Sequence, residues 1–78
     1  TILDVRTAAE FAEGHVKGAV NVPLDELLRG MAMVPKGRPV ITCCRSGARS
    51  GMAEGLLRRQ GFEAYNGGAW TNVQRLQG

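Results

Sequence analysis

Two adjacent cysteines, Cys43 and Cys44, head the run Cys-Cys-Arg-Ser-Gly-Ala-Arg-Ser at residues 43–50. The thiolate is the nucleophilic form of cysteine, and positive surroundings lower the cost of making it. Arg45 and Arg49 place two full charges in the run. Gly47 lets the backbone curl tightly without a Cβ clash. A junction from strand to helix here would aim several N–H groups at one spot, with the helix dipole adding partial positive charge. The pattern describes a thiolate facing a positive cup, suited to attack an anionic electrophile. The competing reading is an inert core pair, because free cysteine is among the most buried residue types. A core cysteine does not need two arginines and a glycine in the next five positions.

The elements around the run are legible from patterning. Val40-Ile41-Thr42-Cys43 is a β-branched run and reads as a strand. Ser50 to Gln60 reads as a helix with Met52, Ala53, Leu56 and Leu57 on one stripe and Glu54–Arg58 as an i,i+4 pair. Gly61 is placed to end that helix in the left-handed conformation. Ile2–Val5 reads as a first strand. Thr7-Ala8-Ala9-Glu10 matches a capping box, opening a short helix that stops near Gly14. Gly18–Val22 reads as a second strand, Leu24–Leu28 as a helical segment, and Phe62–Tyr65 as a last strand. Asn66-Gly67-Gly68 reads as a turn before a terminal helix at Ala69–Leu76. Strands alternating with helices imply a parallel sheet with helices on both faces. Ligands in such sheets bind beyond the carboxyl ends of the strands, which places Asp4, Arg6 and the segment after Cys43 on the functional edge.

Composition narrows the classes. The 78 residues allow one domain, 44% apolar and 22% charged. Two adjacent cysteines and the single His15 match neither a disulfide framework nor a zinc module. No apolar run approaches the ~20 residues of a membrane span. No basic-then-apolar leader is visible, and the start at Thr1 rather than Met predicts a trimmed or processed N-terminus. Net charge is +3, with eight arginines among the ten basic residues. The arginines form no single run and Phe11, Phe62, Tyr65 and Trp70 are scattered, so a small anion fits better than nucleic acid.

Cys44-Arg45-Ser46-Gly47-Ala48-Arg49-Ser50 resembles the active-site loop of rhodanese-like domains, in which a cysteine and four residues precede an arginine and usually a serine. Leu3-Asp4-Val5-Arg6 resembles the family's first-strand motif. Glu10-Phe11 with Gly14-His15-Val16-Lys17-Gly18-Ala19-Val20-Asn21-Val22-Pro23 resembles its Gly-His signature. Leu56-Leu57, Gly61-Phe62 and Gly67-Gly68 are similar to its later landmarks. The blocks occur in order from Ile2 to Val73. The resemblance implies an α/β fold with a central, mostly parallel sheet of four or five short strands flanked by helices. It is nearest to the short phage-shock-protein E type, a single domain over 1–78 without the leading strand and helix usual in the family.

The resemblance also implies a two-step sulfur transfer. Cys44 takes the outer sulfur of thiosulfate as a persulfide and passes it to cyanide, a thiol or a protein acceptor. Backbone N–H groups across Arg45, Ser46, Gly47, Ala48 and Arg49 cradle the persulfide. Arg45 and Arg49 attract the donor anion, and Arg49 also holds the loop by its carbonyls. Asp4 and Arg6, at the functional edge, read either as an ion pair or helix cap supporting the sheet end or as support of the active loop, and Ser50 is expected to support that loop as well. No metal or organic cofactor, nucleic acid or membrane is expected. The expected state is a monomer in the cytoplasm, with the periplasm as the alternative.

Two other functions stay open. Counted from Cys43, five residues precede Arg49, a spacing similar to Cys-based phosphatases and arsenate reductases. A non-catalytic binding module of the same family is the third reading. Cys43 reads as a buried strand residue, His15 as a structural hydrogen-bonding group rather than a base, Trp70 as packing, and Arg58 and Arg59 as a solvated helix face.

Overall fold

The computed structural model describes residues 1–77. Its strands are Ile2–Asp4 (β1), Val20–Asn21 (β2), Val40–Cys44 (β3) and Ala64–Ala69 (β4), and its α-helices are Ala8–Glu13 (α1), Ala48–Arg59 (α2) and Trp70–Gln77 (α3). The four strands form one sheet in the order β2-β1-β3-β4, and every pairing is parallel. The expectation of four or five strands thus resolves to four among the described residues, without an antiparallel member.

Alternation along β3 divides the core in two, as the period-two geometry of a strand requires. Val40 and Cys44 join Leu3, Ala53, Leu57 and Phe62 on the face covered by α2. Ile41 and Cys43 join Val16, Val73 and Trp70 on the face covered by α3. The adjacent cysteines therefore point to opposite sides of the sheet.

The strand order positions the site. From β1 the chain leaves toward β2, and from β3 it leaves toward β4 on the other side. The carboxyl ends of β1 and β3 flank the point where the connections diverge, the usual ligand position in a parallel sheet. The segment after Cys44 starts there.

α2 is terminated at both ends by backbone geometry. Gly47 precedes it at φ 107°, a left-handed value that suits glycine. At the far end Gly61 N donates to Arg58 O at 3.1 Å and Phe62 N to Leu57 O at 3.0 Å, the paired bonds of a Schellman ending. Phe62 and Leu57 share the larger core cluster. The helix starts at Ala48, two residues before the expected Ser50, because the Gly47 carbonyl already accepts from Gly51 N.

Three expectations are corrected. Leu24–Leu28 is no α-helix: only Leu24–Glu26 is helical, in 3-10 form. A segment this short after Pro23 cannot offset the cost of an α-helical nucleus. Gly18–Val22 pairs only at Val20–Asn21, because Gly18 sits in a turn at φ 81°. Asn66-Gly67-Gly68 lies inside β4 rather than in a turn. The β3–β4 register shifts between Thr42 and Cys44, and this bulge absorbs the extra residue. Gly67 is required there, since a Cβ would sit 2.7 Å from Ile41 Cγ2 and 2.8 Å from Thr42 O.

Candidate active site

Cys44 ends β3 and its Sγ lies at the N-terminus of α2. Gly47 N donates to Sγ at 2.9 Å and Ser50 N approaches it at 3.4 Å. The Ser50 hydroxyl oxygen lies 3.4 Å from Sγ. Burial alone would push this thiol up. The Ser50 hydroxyl, which can donate once the sulfur is charged, and the N–H groups of Ser50, Gly47 and Ser46 outweigh it and hold Cys44 below the ordinary cysteine value. Negative charge on sulfur is favoured by the Ser50 hydroxyl and by convergent amides at a helix start.

Cys43 has the opposite chemistry. Both cysteines are buried, but the Cys43 side chain packs with Val16 and Val73 without the donors that surround Cys44, and burial pushes its thiol up to about 12. It does not face the loop, and a Cys43–Cys44 disulfide would require breaking the strand's alternation.

The two arginines of the loop are used differently. Arg49 Nη1 and Nη2 bind Glu10 Oε1 and Oε2 at 2.6 and 3.0 Å. The expectation that Arg49 holds the loop through its carbonyls is corrected, because its fork is occupied by this bidentate carboxylate. Sequence reasoning placed Glu10 in the capping box and in the Glu10-Phe11 signature, not beside the loop. That box is present, with Thr7 N donating to Glu10 Oε1 at 3.0 Å, yet the carboxylate has lone pairs left for Arg49. Arg49 draws the Glu10 carboxyl down to about 2. Arg45 is exposed and forms no ion pair among the described residues.

Ser50 is brought to Sγ, while Ser46 and Ala48 form the exposed rim of the loop. Asp4 and Arg6 are brought to each other. Arg6 Nη2 meets Asp4 Oδ2 at 2.7 Å, donates to Gly14 O at 2.6 Å, and its guanidinium lies 4.7 Å from the Trp70 ring centroid. Neither residue hydrogen-bonds to positions 44–50 among the described residues, and the Asp4 carboxylate acts on Arg49 only by its charge. His15 Nδ1 bonds Phe11 O at 2.8 Å and its ring stacks on Phe11. Arg58, read as a solvated residue, instead donates Nε to Ala64 O at 2.9 Å and ties α2 to β4.

Two grooves flank the loop. One of about 320 Å³ is lined by Val5, Pro23, Leu24 and Arg49. The other, of about 340 Å³, is lined by Arg6, Glu10, Arg45 and Trp70. Among the described residues no cluster of three or more His, Cys, Asp or Glu side chains is placed to hold a metal, and no helix is long and apolar enough to cross a membrane.

A parallel α/β domain with a cysteine seated in the amides of a strand-to-helix loop defines a class of cysteine-loop domains. Within that class the chain belongs to the rhodanese-like domain family, whose model matches residues 1–78. It is 41% identical over 61 residues to a sulfurtransferase of Allochromatium vinosum, covering 78% of this chain and 57% of that protein. It is 37% identical over 62 residues to the thiosulfate sulfurtransferase PspE of Escherichia coli, covering 77% and 60% respectively. The solved structure of a rhodanese with anions from E. coli superposes with a TM-score of 0.78 at 31% identity, covering 91% of this chain and 87% of that one. The chain spans little more than half the length of these curated relatives.

Proposed function

We propose that this domain is a sulfurtransferase of the thiosulfate type, working through a persulfide on Cys44. The Cys44 thiolate attacks the outer sulfur of thiosulfate and forms a new S–S bond. The bond from that sulfur to the sulfonate breaks, and sulfite leaves with the electron pair. A second nucleophile, cyanide or an acceptor thiolate, then takes the outer sulfur and regenerates the Cys44 thiolate. Dividing the transfer at a covalent intermediate replaces one hard displacement by two easier ones.

The observation that carries the reading is Gly47 N at 2.9 Å from Cys44 Sγ, at the head of α2. These amides stabilise negative charge on the attacking sulfur and then on the persulfide. Arg45 and Arg49 give the loop a positive rim that draws a dianion, although Arg49 shares its charge with Glu10. The sulfurtransferase names of the relatives point the same way. A phosphatase or reductase working from Cys43 has no such support, since that thiol lies under α3.

The test is turnover. With thiosulfate and an acceptor, the wild type and Cys43→Ala should release sulfite, and Cys44→Ala should release none above background. Sulfite release by Cys44→Ala that is lost in Cys43→Ala would overturn the assignment.

A further inference from the structure

Ser50 Oγ carries one proton and meets three acceptors. Asn66 Oδ1 is nearest at 2.6 Å, Gly47 O lies at 3.1 Å, and Cys44 Sγ at 3.4 Å. The Asn66 carboxamide can stand only one way round. Its Oδ1 accepts from both Ser50 Oγ and Gly68 N, the latter at 2.9 Å, while its Nδ2 donates to Gly47 O at 3.2 Å. Reversing the amide would set Nδ2 against the Gly68 N–H and Oδ1 against the Gly47 carbonyl, losing both of those bonds. The shortest contact assigns the Ser50 proton to Asn66, so Ser50 turns a lone pair toward the Cys44 thiol and accepts from it. An acceptor in that position favours the neutral thiol, whereas a donor would favour the thiolate.

We propose that Asn66 is a positioning residue that claims the Ser50 hydroxyl proton while Cys44 is a thiol and yields it when negative charge develops on sulfur. Rotation of one hydroxyl, with no backbone movement, converts Ser50 from acceptor to donor. Asn66 sits at the β4 bulge, and Gly67 permits the close approach of β4 to β3 that brings its carboxamide to the loop. The importance of the switch for sulfur transfer rests on the function proposed above. The switch itself is read on the thiol alone.

The other charged groups around the loop are fixed elsewhere. Glu10 of α1 binds Arg49, Asp4 of β1 binds Arg6, and the Glu54 carboxylate of α2 accepts from Asn66 N at 3.2 Å. Arg45 projects from the loop into the groove beside Trp70. None of them is hydrogen-bonded to Ser50 Oγ among the described residues.

The experiment is the pH profile of iodoacetamide alkylation at Cys44, located by peptide mass, which needs no sulfur transfer. Asn66→Ala removes the nearest acceptor of the Ser50 proton, leaving Gly47 O alone to compete with the charged sulfur, and should lower the midpoint by about half to one unit. In a Ser50→Ala background the same substitution should leave the midpoint unchanged. Asn66→Asp keeps acceptor oxygens for Ser50 and Gly68 and its negative charge holds the Ser50 proton more tightly, so it should raise the midpoint more with Ser50 present than in the Ser50→Ala background. If Asn66→Ala proves unfolded by circular dichroism, that excess rise of Asn66→Asp decides alone. An unchanged or raised midpoint in folded Asn66→Ala, an equal shift of Asn66→Ala without Ser50, or an equal rise of Asn66→Asp with and without Ser50 overturns the proposal. Loss of sulfite release with these shifts intact would instead count against the function.

Discussion

Cys43 and Cys44 are the same residue type one position apart, yet their surroundings drive their thiols in opposite directions. Burial among aliphatic side chains pushes Cys43 up to about 12, while the Ser50 hydroxyl and the amides at the head of α2 bring Cys44 below its ordinary value. In the folded protein at pH 8, iodoacetamide should therefore label Cys44 and leave Cys43 unmodified, with Cys43 reacting only after denaturation. Equal labelling under native conditions would contradict the opposed placement. Glu10 gives a second test at this scale. Its carboxyl is lowered from 4.5 to about 2, so its contribution to stability is present above pH 4.5 and is lost as pH falls toward 2. Glu10→Gln should flatten that part of the acid dependence of the thermal midpoint. The sequence showed Cys44, Gly47 and Ser50 because they lie in one local run. It did not show Glu10 as a partner of Arg49, 39 positions away, because the capping box already explained it. Asn66 was hidden in the same way, as a turn residue in front of two glycines.

At the scale of elements, α2 and β3 were legible because their periodicity is strong and their ends carry chemical signals. Gly61 is such a signal, standing at φ 90° beyond the last turn. β4 was read too short because Asn66-Gly67-Gly68 has turn composition. Only the packing of β4 on β3 explains a glycine there, and packing between segments over 20 positions apart leaves no local pattern. Gly67→Ala should then cost about 1–3 kcal/mol, a typical overpacking penalty, seen as a lower thermal midpoint. The same change at Gly55, whose Cβ would meet nothing within 4 Å, should stabilise by up to about 1 kcal/mol through helix propensity. A result in which both changes behave alike would contradict the reading of the bulge.

For the whole molecule, the four parallel strands bring β1 and β3 side by side so that one edge holds the loop, Arg49 and Glu10 together. That the fold is α/β with helices on both faces was visible in the alternation of elements. The strand order was not, because nothing in a short strand names its neighbour. The net charge of +3 acquires a local meaning from Arg45 and Arg49 at the rim. Transfer from thiosulfate should slow as ionic strength rises, and Arg45→Gln should raise the thiosulfate concentration needed for half-maximal rate several-fold. The central claim is that one sulfur atom rests covalently on Cys44 between the two halves of the reaction. Intact mass after incubation with thiosulfate tests it directly. Wild type and Cys43→Ser should gain one sulfur atom and lose it on adding cyanide, while Cys44→Ser gains none. A sulfur adduct that persists in Cys44→Ser, or that fails to form on the wild type, would contradict the account.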